Sequence, residues 1–146
     1  MALSAANASE RAAQMLALTI RLGERLVRET ECLEAHRPQD MYDGIEETRN
    51  LSNLYRHETM RIKADPTLLE GLTPTEKTKL REATEVFQAR LRRYELAVTA
   101  AKTVTEGIIS AIAEDLSSRR TQNAPYGAKG KTVDSGPQSL NYGKNA

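Results

Sequence analysis

Residues 80–112, LREATEVFQARLRRYELAVTAAKTVTEGIISAI, decide the fold. Leu80, Thr84, Phe87, Leu91, Tyr94, Val98, Ala101, Thr105, Ile108 and Ile112 recur at alternating steps of four and three, a heptad seam on one helix. The start is marked just upstream by Thr73-Pro74-Thr75-Glu76: a Thr cap, Pro at the first helical position and Glu at the third. The spacing predicts a helix over 74–120, roughly 70 Å long at 1.5 Å per residue. Arg119 and Arg120 fall where cations favour a helix C-terminus.

Two shorter helices are predicted before it, over 9–36 and 38–64. Asn7 with Glu10 has capping-box spacing, and Met15, Leu18, Leu22, Leu26 and Leu33 form one apolar stripe. Pro38 disfavours helix at Arg37 and opens the next helix, so the two are antiparallel neighbours. Met41, Ile45, Thr48, Ser52, Tyr55, Thr59 and Ile62 make a second, more polar seam. Asp65-Pro66 opens a short turn that Gly71 closes. The fold class expected is all-α: an elongated antiparallel three-helix bundle or coiled coil with a long C-terminal helix and a disordered tail. Residues 1–8 are read as a flexible lead, 9–120 as the helical domain and 121–146, rich in Gly, Pro, Asn and Ser, as a flexible tail.

Composition supports helices with narrow seams. Helix formers dominate outside the tail, and aromatic residues are few, with five Tyr, one Phe and no Trp. A net charge of +1 gives no nucleic-acid-binding surface from charge alone. The single cysteine, Cys32, excludes an intramolecular disulfide framework. The N-terminus lacks a signal-peptide pattern, and no continuous apolar run approaches the ~18 residues of a membrane span. These features lead to the expectation of a cytoplasmic protein without membrane insertion.

Register counted from the two loops gives the long helix a further role. Residue 74 falls beside residue 64, and about residue 99 beside residue 39. Residues 101–120 are then expected to extend beyond the other two helices. Their apolar row, Val104, Ile108, Ile109, Ile112 and Leu116, is left for another helix to cover. A second copy of the chain, a foreign amphipathic helix and a folded-back tail are the three covers considered.

Catalytic signatures are thin. Two histidines and one cysteine support no zinc cluster, and His57-Glu58-Thr59-Met60-Arg61 has Arg where a zinc protease has its second histidine. His57-Glu58 is also similar to the phosphoacceptor of histidine kinases, but Pro66 lies nine residues on rather than close behind. Neither a glycine-rich phosphate loop nor a nucleophile elbow is present in the sequence. Arg90, Arg92 and Arg93 with Tyr94 read as the solvated shoulder of a coiled coil. The expectation is a protein that is not an enzyme and has no cofactor or metal site.

Several phrases together carry a family resemblance: LVRETECLEAHRPQDM at the end of the first helix, LTPTEKTKLREATEVFQARLRRYE and AKTVTEGIISAIAEDL in the third, and PYGAKG in the tail. Over about residues 10–130 the chain resembles FlgN-like flagellar export chaperones. The resemblance implies a cytoplasmic type III export chaperone for hook–filament junction proteins of the FlgK and FlgL type. It also implies delivery to the cytoplasmic domain of the export gate protein FlhA. On this chain the cargo surface would be Val104, Ile108, Ile109, Ile112 and Leu116. Tyr126 is the candidate for gate docking, with Tyr142 a second tyrosine further on. The competing reading is a scaffolding coiled coil that self-associates, as a homodimer, through residues 101–120.

Overall fold

A computed structural model describes the backbone of residues 3–128 and the side chains of residues 3–122. Among the described residues the chain is all helix and turn, in the order α1 (Ala8–Glu34), a 3-10 stretch (Pro38–Gly44), α2 (Ile45–Ala64), a 3-10 turn (Pro66–Leu69) and α3 (Pro74–Ala128). The chain divides into two compact units, Met1–Lys102 and Thr103–Ala146.

The first unit holds three helices in up-down-up order. Asn7 caps α1, its Oδ1 accepting the Glu10 amide at 2.8 Å, while Glu10 reaches back to the Ala6 amide at 2.7 Å. The helix ends at Glu34; His36 just beyond it has a φ of 58°, in the left-handed region, and Arg37 leads into Pro38. The expected second helix begins later than Pro38. Residues Pro38–Gly44 take the tighter 3-10 form, and α2 proper starts at Ile45. The Arg25 guanidinium lies over Gly44: its Nη2 is 1.6 Å from where a β-carbon would sit, so a larger residue would displace it. The Asp65-Pro66 turn forms as expected and closes at Gly71, whose φ is 88°. Thr73 and Glu76 form a reciprocal capping box, with the Glu76 amide 3.2 Å from Thr73 Oγ1 and the Thr73 amide 2.8 Å from Glu76 Oε2.

The apolar stripe of α1 is buried as its spacing dictates: Met15, Leu18, Leu22 and Leu26 are all enclosed, and Leu33 is half-buried. Leu22 and Leu26 pack on Phe87 of α3, with Leu51, Tyr55, Leu91 and Tyr94 around them. The Tyr55 and Phe87 rings meet at 4.8 Å between centroids, tilted by 40°. The seam of α3 departs from strict heptads after Tyr94. Ala97 is buried and Val98 is 39% exposed, because a 3.6-residue helix drifts against a 3.5-residue repeat.

Polar residues fill much of the remaining interior. Glu29 is buried, and Thr48 of α2 donates to it at 2.5 Å. Arg25 Nε donates to the Thr48 hydroxyl at 3.1 Å. The Tyr94 hydroxyl donates to Glu29 from α3; burial first, then the Glu29 charge and this bond, push the Tyr94 pKa above its ordinary value. All three helices therefore meet in one hydrogen-bonded layer, which penalises a slipped register. At the other end of the unit, Glu58 has no exposed surface. It accepts the Leu3 amide at 2.9 Å, Arg11 Nη1 at 3.2 Å and Arg61 Nη1 at 3.2 Å. Residues 3–7, read from sequence as part of a flexible lead, are thereby tied to the bundle, and Gln14 Nε2 adds a bond to the Ser4 carbonyl at 2.7 Å.

The second unit is described through α3 alone. The helix continues past Arg120, the expected end, to Ala128. Of the expected flexible tail, 129–146 lies outside the described residues, as does Tyr142.

Candidate functional site

Residues 102–122 are exposed throughout. They continue the α3 helix with no proline among them, Gly107 being the weakest helix former of the stretch. Val104 is 49% exposed, Ile108 56%, Ile109 61%, Ile112 55% and Leu116 55%. At 100° per residue these five side chains span an arc of about 140°, the width of an ordinary buried helix face. Fully burying a side chain of this kind contributes roughly 1.5–3 kcal/mol. Five such side chains on one face are more than the single, scattered apolar exposure ordinary at a protein surface.

Polar residues are interspersed along the same helix. Lys102 precedes the row, Glu106, Glu114 and Asp115 lie within its span, and Arg119 and Arg120 follow it. Arg119 Nε pairs with Asp115 at 3.1 Å, one turn apart. A β-carbon on Gly107 would meet nothing within 4 Å. This glycine is thus not demanded by packing within the chain, although it costs the helix about 1 kcal/mol relative to Ala. Tyr126, the gate-docking candidate, is in the helical backbone of α3, and its side chain lies outside the described residues.

Other sequence candidates are placed differently. His57 is exposed at the surface of α2 with Nδ1 3.5 Å from Glu58 Oε1. Burial acting alone would raise the Glu58 pKa, but the Leu3 amide and Arg61, with His57, outweigh it and hold the carboxyl below its usual range. Arg93 belongs to the α1–α3 contact, its Nε donating to Glu34 at 2.9 Å. No group of three His, Cys, Asp or Glu suited to a metal ion occurs among the described residues. By length and composition α3 contains a window apolar enough to cross a membrane, with mean hydropathy 1.3 and 6% of it buried. The sequence reading, which looked for a continuous apolar run, passes over this window.

Two features were not legible from spacing. Glu58 is buried where the predicted seam has Thr59, which is exposed. An open groove also runs between α1 and α3, lined by Leu16, Ile20, Ala83 and Val86 among others, with a volume of about 380 Å³. Ile20 and Val86 are the signal that could have revealed it, since each stands outside its helix's seam.

The chain is 42% identical over 135 residues to the flagellar basal-body protein FlbY of Caulobacter vibrioides, covering 92% of this chain and 91% of that protein. The chain belongs to the FlbY family of flagellar proteins. No protein-family model and no solved structure matches the chain.

Proposed function

We propose that this protein is a cytoplasmic, non-catalytic flagellar chaperone of FlgN-like type. It takes up the terminal amphipathic helices of hook–filament junction subunits on the row Val104–Ile108–Ile109–Ile112–Leu116. The observation that carries the reading is the exposure of these five aliphatic side chains on one face of a well-formed helix. Kinship with a flagellar basal-body protein supports a role in building the flagellum.

The mechanism follows from burial. A junction subunit's terminal helix is apolar on one side and assembles or aggregates if left exposed. Pairing that side with the α3 row removes both from water and delays assembly. Release at the export gate needs only moderate affinity, and ordering a disordered cargo terminus keeps the net affinity down. Delivery to FlhA, with Tyr126 in contact, is the second step of the proposal.

The test is pull-down of FlgK- and FlgL-type subunits by the full chain and by Ile108→Asp with Ile112→Asp. The account expects capture by the parent and loss in the double variant at unchanged helical content. Equal capture by both refutes it. The scaffold alternative, self-association through 101–120, is favoured by the same exposed row and predicts no cargo with either chain. Flotation with lipid vesicles separates both from a membrane-surface role, for which the apolar window of α3 is the reason to look.

A further inference from the structure

The helix that carries the exposed row is held unevenly along its length. In its first half α3 is fixed by packing: Phe87 and Ala97 are buried, and the Thr73–Glu76 capping box closes its start. From residue 102 to residue 122 every side chain is exposed. The division between the chain's two compact units falls at the same place, between Lys102 and Thr103. Helices in proteins draw most of their stability from burying one face, so this stretch depends chiefly on its own propensity.

That propensity is low where the row begins. Six of the ten residues 103–112 are β-branched: Thr103, Val104, Thr105, Ile108, Ile109 and Ile112. With Gly107 and Ser110 among the rest, Glu106 and Ala111 are left as the strong helix formers. Relative to Ala, each β-branched residue lowers the local helix equilibrium about two- to threefold and Gly about fivefold. The far end adds little support. Pro125 has no N–H to donate to the Thr121 carbonyl four residues back. The last turn contains no basic residue, and Arg119 and Arg120 fall about two turns short of Ala128. The Asp115–Arg119 ion pair raises the local helix about twofold at most.

We infer that residues 103–122 form a conditional helix: it opens and closes in the free protein, and covering the aliphatic row holds it closed. Val104, Ile108, Ile109, Ile112 and Leu116 share one face only while the helix is closed. The apparent affinity of the row is therefore reduced by the closed fraction, and a partner must complete the helix as it binds. This supplies a regulation of the same surface, since whatever shifts the opening equilibrium shifts the hold on the partner. The partner is that of the proposed function, on which this part of the inference rests; the opening itself does not depend on it.

Hydrogen exchange on the full chain reads the opening directly. Residues 103–116 are expected to be protected about tenfold or less over an unstructured chain, and residues 84–97 at least a hundred times more, roughly, than that. Two sets of substitutions off the row then move the equilibrium in opposite directions. Ala111→Gly with Ala113→Gly lowers it about 25-fold and is expected to weaken binding of a purified FlgK- or FlgL-type subunit about fivefold. Thr103→Ala, Gly107→Ala and Ser110→Ala raise it by a similar factor, about 30-fold, so adding them to the glycine pair should restore the parent affinity. Exchange at residues 84–97 should be unchanged in every variant. Protection of 103–116 equal to that of 84–97 overturns the inference, as does a glycine pair that leaves subunit affinity at the parent value. A subunit that binds none of these chains refutes the chaperone reading; low protection of 103–116 then still upholds the opening, and high protection overturns it.

Discussion

Replacing Glu58 with Gln removes one charge from the most enclosed ionic site in the protein. The glutamine keeps an oxygen for the Leu3 amide but leaves Arg11, 7% exposed, without its counter-charge 3.2 Å away. Breaking one side of a buried ion pair costs on the order of 3–5 kcal/mol. Arg61 is better exposed and recovers water, so the low end, about 3 kcal/mol, is expected. For a unit of about this size that is a fall in Tm of roughly 12–20 °C. Urea unfolding followed by circular dichroism measures it, and Glu47→Gln is the control. Glu47 pairs with Arg21 at an exposed, solvent-screened site, and its replacement should leave the unfolding midpoint essentially unchanged. The pH dependence provides a second reading. The folded Glu58 pKa is depressed, so its contribution is complete above the ordinary carboxylate range and is lost as pH falls through the folded value. The difference between parent and Glu58→Gln should therefore shrink on acidification. A Glu58→Gln protein within 1 kcal/mol of the parent near neutral pH, or a difference that grows in acid, refutes the reasoning.

Three further outcomes follow from other positions. Tyr94→Phe takes a donor from buried Glu29 and should cost about 1–1.5 kcal/mol in urea unfolding, without changing helical content. His36→Gly relieves a left-handed backbone at the end of α1 and should stabilise by about 0.5–1 kcal/mol in the same assay. Gly107→Ala meets open space, so it should raise the local protection of residues 103–116 in hydrogen exchange by about fivefold.

The sequence yields most of the backbone because its punctuation is local. The Asp65-Pro66 pair, Gly71 and the Thr73–Glu76 capping box each act through their own neighbours, and each is found where expected. The α1 stripe is equally legible, since four leucines and methionines on one face leave a single way to bury them. Glu58 is not legible, because its burial depends on Arg11, Arg61 and the Leu3 amide, which only the folded chain brings together. The 3-10 stretch at Pro38–Gly44 is not legible either, since Pro38 opens an α-helix as readily as a 3-10 turn. Val98 illustrates a different limit: a strict heptad count carried past Tyr94 selects it for the seam, and helix drift turns Ala97 inward instead. The apolar row of α3 was visible as residues, and the structure adds that all five side chains are exposed. The groove between α1 and α3 was not visible, since it is made by two helices whose lateral order no single segment encodes.

The central claim, that the α3 row is a docking face for junction-subunit helices, is tested most directly by hydrogen exchange on the full chain. Protection across residues 103–116 is compared with and without a purified FlgK- or FlgL-type subunit. The account predicts slowed exchange confined to that stretch, abolished by Ile108→Asp with Ile112→Asp. Unchanged exchange there at saturating subunit, or protection that survives the double substitution, contradicts it.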